Sequence, residues 1–436
     1  MSQKSNSLFP LKYFVKHLVN VVSRWKQIDW LLLFLVISLV VLGGLTIHSI
    51  ELVEGLNRSY QHISIGGIGL LIAIAIARYN YRYLLQWHWL VYALTNLSLI
   101  AVMVAGVSAK GAQRWITVGG FNVQPSEFAK VGVVITLAAL LHDQNARKLS
   151  TVIRTLAITA VPWGLVFLQP DLGTSLVFGV IVMMMLYWAN TNPIWLLLLI
   201  SPLVSAILYN LYFPGWFIWT IVITGIAWLV LPLRTVAALS AIAINCGAVE
   251  LGNIFWNVLK DYQKDRLILF LSPEKDPLGG GYHLIQSRIA IGSGKMWGTG
   301  LYEGTQTQLN FIPEQHTDFI FSAIGEEWGF VGCLLLLVVF WLICWRLIHV
   351  ATRATDNFGS LLAIGVLAII SFQLVVNISM TIGLAPITGI PLPFISYGRS
   401  SLLSSLIAIG LVESVANHRE FKRTLFHPPK NNLSSY

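Results

Sequence analysis

The sequence predicts an all-α, polytopic integral membrane protein of about twelve transmembrane helices, with both termini cytoplasmic. Three observations carry this. Hydrophobic residues make up 56% of the 436-residue chain and charged residues 11%, against roughly 25% charged in a soluble domain. Apolar runs that approach the roughly 20 residues of a membrane-crossing helix recur along the chain. Lys and Arg are divided unevenly between alternate connecting segments. A soluble globular enzyme and a disordered chain are both excluded. The net charge of +9 reads as basic cytoplasmic loops, and no nucleic-acid partner is expected.

The first span is Ile28–Ile47. It follows 27 residues and precedes no A-x-A-like site, so it reads as an anchor and not as a cleaved signal. Ile63–Ala77 and Leu90–Val107 flank a basic turn with Arg78 and Arg82. Phe128–Leu141, Val152–Phe167, Leu172–Ala189 and Trp195–Tyr212 follow. The pair Trp216–Leu231 and Val236–Phe255 is the weakest, and reads either as two spans or as a partly inserted hairpin. Ile320–Trp345, Leu361–Ile382 and Leu392–Val415 complete the set. Several are shorter than a straight crossing needs, so their ends extend into the flanks.

With the N-terminus inside, the inner segments hold 17 of the 28 Lys and Arg and the outer segments nine. Six of those nine sit in one long loop, where the positive-inside rule is weak, so the short loops decide the orientation. Residues 1–27 form a cytoplasmic segment in which Phe9–Val22, interleaved with Lys12, Lys16 and His17, suits an interfacial helix. Residues 28–417 form one transmembrane domain with a long extracytoplasmic loop at about 257–317, and 418–436 a cytoplasmic tail. Cys246, Cys333 and Cys344 lie in apolar runs without disulfide or zinc spacing.

Polar chemistry collects in two outer loops, the places where function sits on a packed scaffold. The shorter, Ser108–Pro125, carries Lys110 and Arg114 and leads to Gln124, Ser126, Glu127 and Lys130 at the start of the next helix. Glu127 and Lys130 are three apart on one helical face and close enough to pair. An ionisable group inside an apolar span is a functional candidate, although a neutralised pair that holds two helices together fits equally. In the long loop, Pro273, Pro277 and Gly279–Gly281 force an irregular turn around Asp276. Tyr282–Ile291 has helical spacing with Gln286 and Arg288 on other faces; Gly292–Gly304 is glycine-rich; His316 and Asp318 sit at the mouth of the next span. Asp171, Glu326, Glu327, Asn377, Ser396 and Tyr397 are further polar residues within or beside the spans. Glu250 reads as a border carboxylate.

Several motifs fail. Gly292-Ser293-Gly294-Lys295 lacks phosphate-loop spacing and follows no strand. His283 and His316 are too isolated for zinc, and neither H-E-x-x-H nor G-x-S-x-G occurs. Gly66, Gly67 and Gly69 read as helix-packing positions.

Five stretches carry a resemblance: RWITVGGFNVQPSEFAK, QPDLGTS, DPLGGGYHLIQSRIAIGSG, GTQTQLNFIPEQHTDFIFSAIGEEWG and GIPLPFISYG, in order from Arg114 to Gly398. The chain resembles the SEDS family (shape, elongation, division and sporulation proteins), and its RodA branch by IAIGSG followed by GTQTQ. The resemblance implies a peptidoglycan glycosyltransferase of the elongation machinery in the bacterial plasma (inner) membrane, with its active site on the extracytoplasmic side. Its implied substrate is lipid II, an undecaprenyl-pyrophosphate-linked disaccharide pentapeptide. Its implied partners are a class B penicillin-binding protein (a transpeptidase) and other membrane proteins of the elongation complex. The family's essential loop aspartate maps onto Asp276, and its motif at the start of the fourth span onto Glu127 and Lys130. Two departures stand out. The family core has ten spans, so one hairpin near 214–255 is extra. The family's S-Y-G-G-S reads Ser396-Tyr397-Gly398-Arg399-Ser400, so Arg399 either disturbs close packing or adds an anion contact.

Pyrophosphate leaves as a stable anion, so one carboxylate base suffices where a glycosidase needs two. Asp276 is the expected base, acting on the 4-hydroxyl of the acceptor GlcNAc, which attacks C1 of the donor MurNAc with inversion. A carboxylate is a weak base in water, so metal binding or orientation of the hydroxyl is the other role open to Asp276. Lys110 and Arg114 are the expected pyrophosphate cations, with a divalent cation (Mg or Mn) bridging and no organic cofactor. Gln124, Ser126, Glu127 and Lys130 organise the substrate-binding floor. Asp171, Gln286, Arg288, His316, Asp318, Glu326, Ser396 and Tyr397 support the site or the packing. A lipid-precursor flippase or a noncatalytic transpeptidase scaffold is the alternative; a transporter places its polar groups near the midplane on broken helices.

Overall fold

The computed structural model describes residues 28–52, 57–109, 112–143, 148–231, 234–259, 261–276 and 281–418. The expected interfacial helix over Phe9–Val22, the tail beyond His418 and Lys110 lie outside them. The chain is a multi-pass membrane protein. Each of the twelve expected spans contains a helix: α1 (Trp30–Glu51), α2 (Arg58–Arg78), α3 (Tyr83–Ala105), α4 (Pro125–His142), α5 (Leu149–Leu168), α6 (Leu172–Trp188), α7 (Pro193–Leu211), α8 (Phe213–Val230) and α9 (Arg234–Val258). Three short helices, α10 (Asp261–Leu271), α11 (Tyr282–Ser293) and α12 (Thr305–Gln308), fill the long loop before α13 (Ile320–Thr352), α14 (Asn357–Thr381) and α15 (Arg399–Asn417). Eleven of these are long and apolar enough to cross a membrane, and α6 is a shorter apolar helix.

The last span departs from expectation. Leu392–Gly398 is not helical, and α15 starts only at Arg399. Leu392, Phe394 and Ile395 are nevertheless buried, which is why hydropathy counts them into the span. Ser396 holds this loop: its Oγ accepts from Leu392 N at 2.8 Å and donates to Thr317 O at 2.6 Å. The Ser108–Pro125 loop carries strands. It forms an antiparallel sheet of β1 (Val107–Ala109), β2 (Ala112–Val118) and β3 (Phe121–Val123). Positive φ at Gly119 and Gly120 permits the tight β2–β3 turn.

In a bilayer, helices associate through close packing more than through hydrophobic burial. Gly66 abuts Val40 of α1, Gly69 abuts Leu406 of α15, and Gly410 lies against the Ala73 backbone. Gly67 has open space beside it, so that one is not a packing glycine. The buried centre is α1, α4, α6, α13, α14 and α15. The α8–α9 hairpin consists of two helices, each long and apolar enough to cross a membrane. With α7 it builds a separate cluster around Ile223, Ala227, Leu231, Ala237 and Ala241.

At one end of the bundle, the α2–α3 and α13–α14 turns are tied by charge. Arg82 Nε donates to Asp356 Oδ2 at 2.7 Å, Tyr81 OH donates to the same oxygen at 2.9 Å, and Asp356 caps α14 by accepting from Gly359 N at 2.8 Å. Burial alone pushes the Asp356 carboxyl up, but the Gly359, Arg82 and Tyr81 hydrogen bonds outweigh it and hold the carboxyl below the usual range. Its stabilisation is therefore fully present above the unfolded Asp value of about 3.9 and fades as pH falls through the lower folded value. Asp356→Asn is expected to lose about 1 kcal/mol or less at neutral pH, since the pair is partly exposed. The melting-temperature gap from the unaltered protein, measured in detergent, should close in strong acid. A gap independent of pH rejects the assignment.

Candidate active site

The opposite end of the bundle, where α4, α6 and α15 begin, carries the polar residues singled out in the sequence. Pro125 occupies the first turn of α4, where its missing N–H is no loss. One turn on, Lys130 Nζ lies 2.7 Å from Glu127 Oε2, with Lys130 2% and Glu127 4% exposed. The pair neutralises two charges that neither lipid nor protein interior tolerates singly. Ser404 Oγ of α15 lies 3.5 Å from the same Glu127 oxygen.

Gln124 ties three elements together. Its amide donates to Ser126 Oγ and to Asp171 Oδ2, each at 3.1 Å, and its backbone N–H donates to Ser400 Oγ at 2.9 Å. Asp171 caps α6, its Oδ1 accepting from Thr174 N at 3.2 Å, and Arg114 Nη1 is 3.8 Å from the same oxygen. Arg114 also donates to Gln169 O at 3.1 Å and to Pro170 O. Arg114, Gln124, Ser126 and Asp171 thus form one network above the Glu127–Lys130 pair. Part of the Arg114 guanidinium is committed to Asp171 and two carbonyls, so its position is rigid and its charge partly met.

Asp276 stands on another element. A 3₁₀ turn, Pro273–Lys275, precedes it, its side chain is exposed, and its carbonyl accepts from Gly281 N at 3.0 Å. Residues 277–280 lie outside the described residues; on α11, Gln286 is half-buried and Arg288 is exposed, donating to Gly383 O at 3.0 Å.

The glycine-rich segment proves to be a packing device. Inside α13, Gly329 has φ 65° and ψ −164°, which breaks the helix. The chain at 294–298 fills the break: Phe330 N donates to Lys295 O at 2.9 Å and Val331 N to Met296 O at 3.1 Å. A Cβ at Gly298 would overlap the Glu327 carbonyl, and one at Gly329 the Gly298 nitrogen, so glycine is required at both. Just before the break, fully buried Glu326 accepts from Gln306 N at 2.8 Å, Thr307 N at 2.9 Å and Thr307 Oγ1 at 2.6 Å. Glu326 thereby anchors the start of α12. Glu327 accepts from Ser49 of α1.

The remaining predicted residues hold the backbone before α13 and α15. Asn377 donates to Asp318 O and Ile390 O at 2.9 and 2.8 Å. His316 O accepts from Tyr397 N at 2.9 Å, and Arg58 Nη1 is 3.2 Å from His316 Nδ1. Sequence reasoning passed over Ser400, Ser404 and Gln61. A usable signal existed in SSLLSS, where serines four apart mark one polar stripe on an otherwise apolar helix.

The comparisons agree with this architecture. The profile of the FtsW/RodA/SpoVE cell cycle proteins matches residues 27–218 and 212–421, two pieces that meet at the start of α8. The chain is 36% identical over 426 residues to the peptidoglycan glycosyltransferase RodA of Treponema pallidum (strain Nichols), covering 89% of this chain and 97% of that one. It is 34% identical over 406 residues to the peptidoglycan glycosyltransferase MrdB of Escherichia coli (strain K12), covering 92% and 97%. Among solved structures, one described as a peptidoglycan synthase complex that coordinates polymerization and crosslinking includes a chain with TM-score 0.67 and 28% identity, covering 90% of this chain and 99% of that one. The rod shape determining protein RodA of Thermus thermophilus superposes with TM-score 0.58 and 26% identity, covering 90% and 98%. On the span of the profile match and the identity to these relatives, the chain belongs to the FtsW/RodA/SpoVE family of cell cycle proteins.

Proposed function

We propose that the chain is a peptidoglycan glycosyltransferase that polymerises lipid II into β-1,4 glycan strands and releases undecaprenyl pyrophosphate. The observation that carries this reading is near-full-length identity of 34–36% to two proteins named as such glycosyltransferases. The polar network around Gln124, gathered at the end of the bundle away from Arg82 and Asp356, supports a site at one membrane face. The basic residues at the other end support placing that end in the cytoplasm and the site on the extracytoplasmic side of the inner membrane. The relation to a chain of a peptidoglycan synthase complex supports a class B penicillin-binding protein as partner, together with other membrane proteins of the elongation machinery.

In this mechanism the Asp276 carboxylate takes the proton of the acceptor 4-hydroxyl. The oxygen attacks C1 of the donor, the bond from C1 to the phosphate oxygen breaks with inversion, and the lipid pyrophosphate departs as an anion. The proton on Asp276 then passes to water. Lys110 and Arg114 offset the departing charge, and Glu127 with Lys130 keeps the floor rigid beneath Gln124 and Ser126. Among the described residues no three His, Cys, Asp or Glu side chains gather as a metal cage. In the other role open to it, Asp276 would hold Mg or Mn together with substrate phosphates, a mode that needs no such cage and that its exposure suits. Such an ion would supply charge neutralisation at the pyrophosphate.

A flippase is less well supported. The break in α13 resembles the discontinuous helices of transporters, but the chain's own Lys295 and Met296 carbonyls fill it. The test is polymerisation of lipid II by the purified protein, with and without a class B transpeptidase, in Mg or Mn and after chelation. Glycan chains that disappear on chelation and return with metal are expected. No chains under any condition overturn the reading and leave translocation in vesicles as the next assay.

A further inference from the structure

The surroundings of Arg399, in the stretch Ser396-Tyr397-Gly398-Arg399-Ser400, are unusual for an arginine in an apolar bundle. It is half-buried at the first position of α15. Its Nη2 donates to Gln61 Oε1 at 2.7 Å, its Nε to Tyr397 OH at 3.2 Å, and its guanidinium lies 5.5 Å from the Phe121 ring centre. Tyr397 OH donates to the same Gln61 oxygen at 2.6 Å. Every one of these partners is electrically neutral. They fix the planar group between α2, β3 and the loop before α15 without cancelling its charge. A cation at a helix N-terminus also opposes the macrodipole, so stability of α15 does not account for it.

Its place is informative. The next residue, Ser400, holds the Gln124 backbone, and Ser404 one turn below reaches Glu127. Arg399 therefore stands at the rim of the polar network. Beyond Tyr397, the His316 ring centre is 5.9 Å from that of Tyr397 and Arg58 Nη1 is 3.2 Å from His316. A rigid guanidinium with spare N–H groups, held by neutral neighbours at the border of a membrane, matches a phosphate oxygen pair.

We propose that Arg399 is a phosphate-binding residue that positions the pyrophosphate of the lipid-linked substrate at the rim of the site. This rests on the glycosyltransferase reading above. The chemistry it recognises is a phosphate ester, which a phospholipid headgroup also offers, and the test separates the two sources.

Binding of farnesyl pyrophosphate, a short polyprenyl pyrophosphate, is measured in detergent for the unaltered protein, R399Q and R399K, beside polymerisation kinetics on lipid II. R399Q is expected to weaken farnesyl pyrophosphate binding about tenfold and to raise KM by a similar factor with kcat nearly unchanged. R399K keeps the charge and loses the fork, so it should fall between; it also serves if R399Q purifies poorly. Unchanged pyrophosphate binding, together with loss in R399Q of a melting-temperature rise given by phosphatidylglycerol over phosphatidylcholine vesicles, overturns the substrate assignment and moves the phosphate to a headgroup. Both readouts unchanged in a folded R399Q overturn the proposal altogether. Arg399-dependent pyrophosphate binding in a protein that makes no glycan supports the site while the glycosyltransferase reading fails.

Discussion

Asp276→Ala is expected to abolish glycan polymerisation by a protein whose yield and melting temperature stay at those of the unaltered chain. The side chain is exposed on a turn after Pro273–Lys275. An exposed side chain outside the packed core contributes little to stability. General-base catalysis by a positioned carboxylate contributes about 10²–10⁴-fold, so a gel-based assay should show no chains. Asp276→Asn keeps the shape and removes both proton acceptance and metal binding, so it should be nearly as inactive. Asp276→Glu lengthens the arm by one methylene and should retain weak activity if position matters. Polymerisation by Asp276→Asn at the original rate rejects the base and the metal-ligand roles together.

The second large effect concerns Glu127 and Lys130. Lys130→Met leaves a carboxylate that is 4% exposed without its 2.7 Å partner. Breaking a buried pair in this way costs about 3–5 kcal/mol, whereas replacing both members with apolar residues is often close to neutral. Lys130→Met should therefore fail to fold or melt well below the unaltered protein, and Glu127→Leu with Lys130→Met should recover most of that loss. Activity in the double variant separates two roles. A folded but inactive double variant means that the charges serve the substrate floor. A folded and active one means that the pair only joins α4 to its neighbours, and the substrate-binding assignment is withdrawn.

The sequence raised these two candidates for different reasons. Asp276 was singled out by the family resemblance, on a turn that the surrounding prolines and glycines make irregular. Glu127 and Lys130 are marked because charge within an apolar run is rare and must find a partner. The partner at i+3 follows from helical geometry alone. What surrounds them was not legible. Ser400 and Ser404 lie far from Gln124 and Glu127 in the chain, and no local pattern says which helix will present them. The glycine-rich Gly292–Gly304 was readable as irregular, but its insertion into a break of α13 at Gly329 depends on two segments meeting in space.

By itself, then, the sequence determined the class, the twelve apolar segments and the short list of polar residues. Hydropathy and turn chemistry are local and accumulate residue by residue, so a one-dimensional reading captures them. The tertiary structure decided the rest: that α15 starts at Arg399 and not at Leu392, that Arg114 leans on Asp171, that Glu326 anchors α12, and that neutral groups surround Arg399. Spans that are apolar on all sides carry no amphipathic stripe to say which face turns inward. Their rotation and depth are set by small residues such as Gly69 and Gly410 meeting a neighbour and by polar groups finding partners across helices. Those pairings exist only once the bundle has formed.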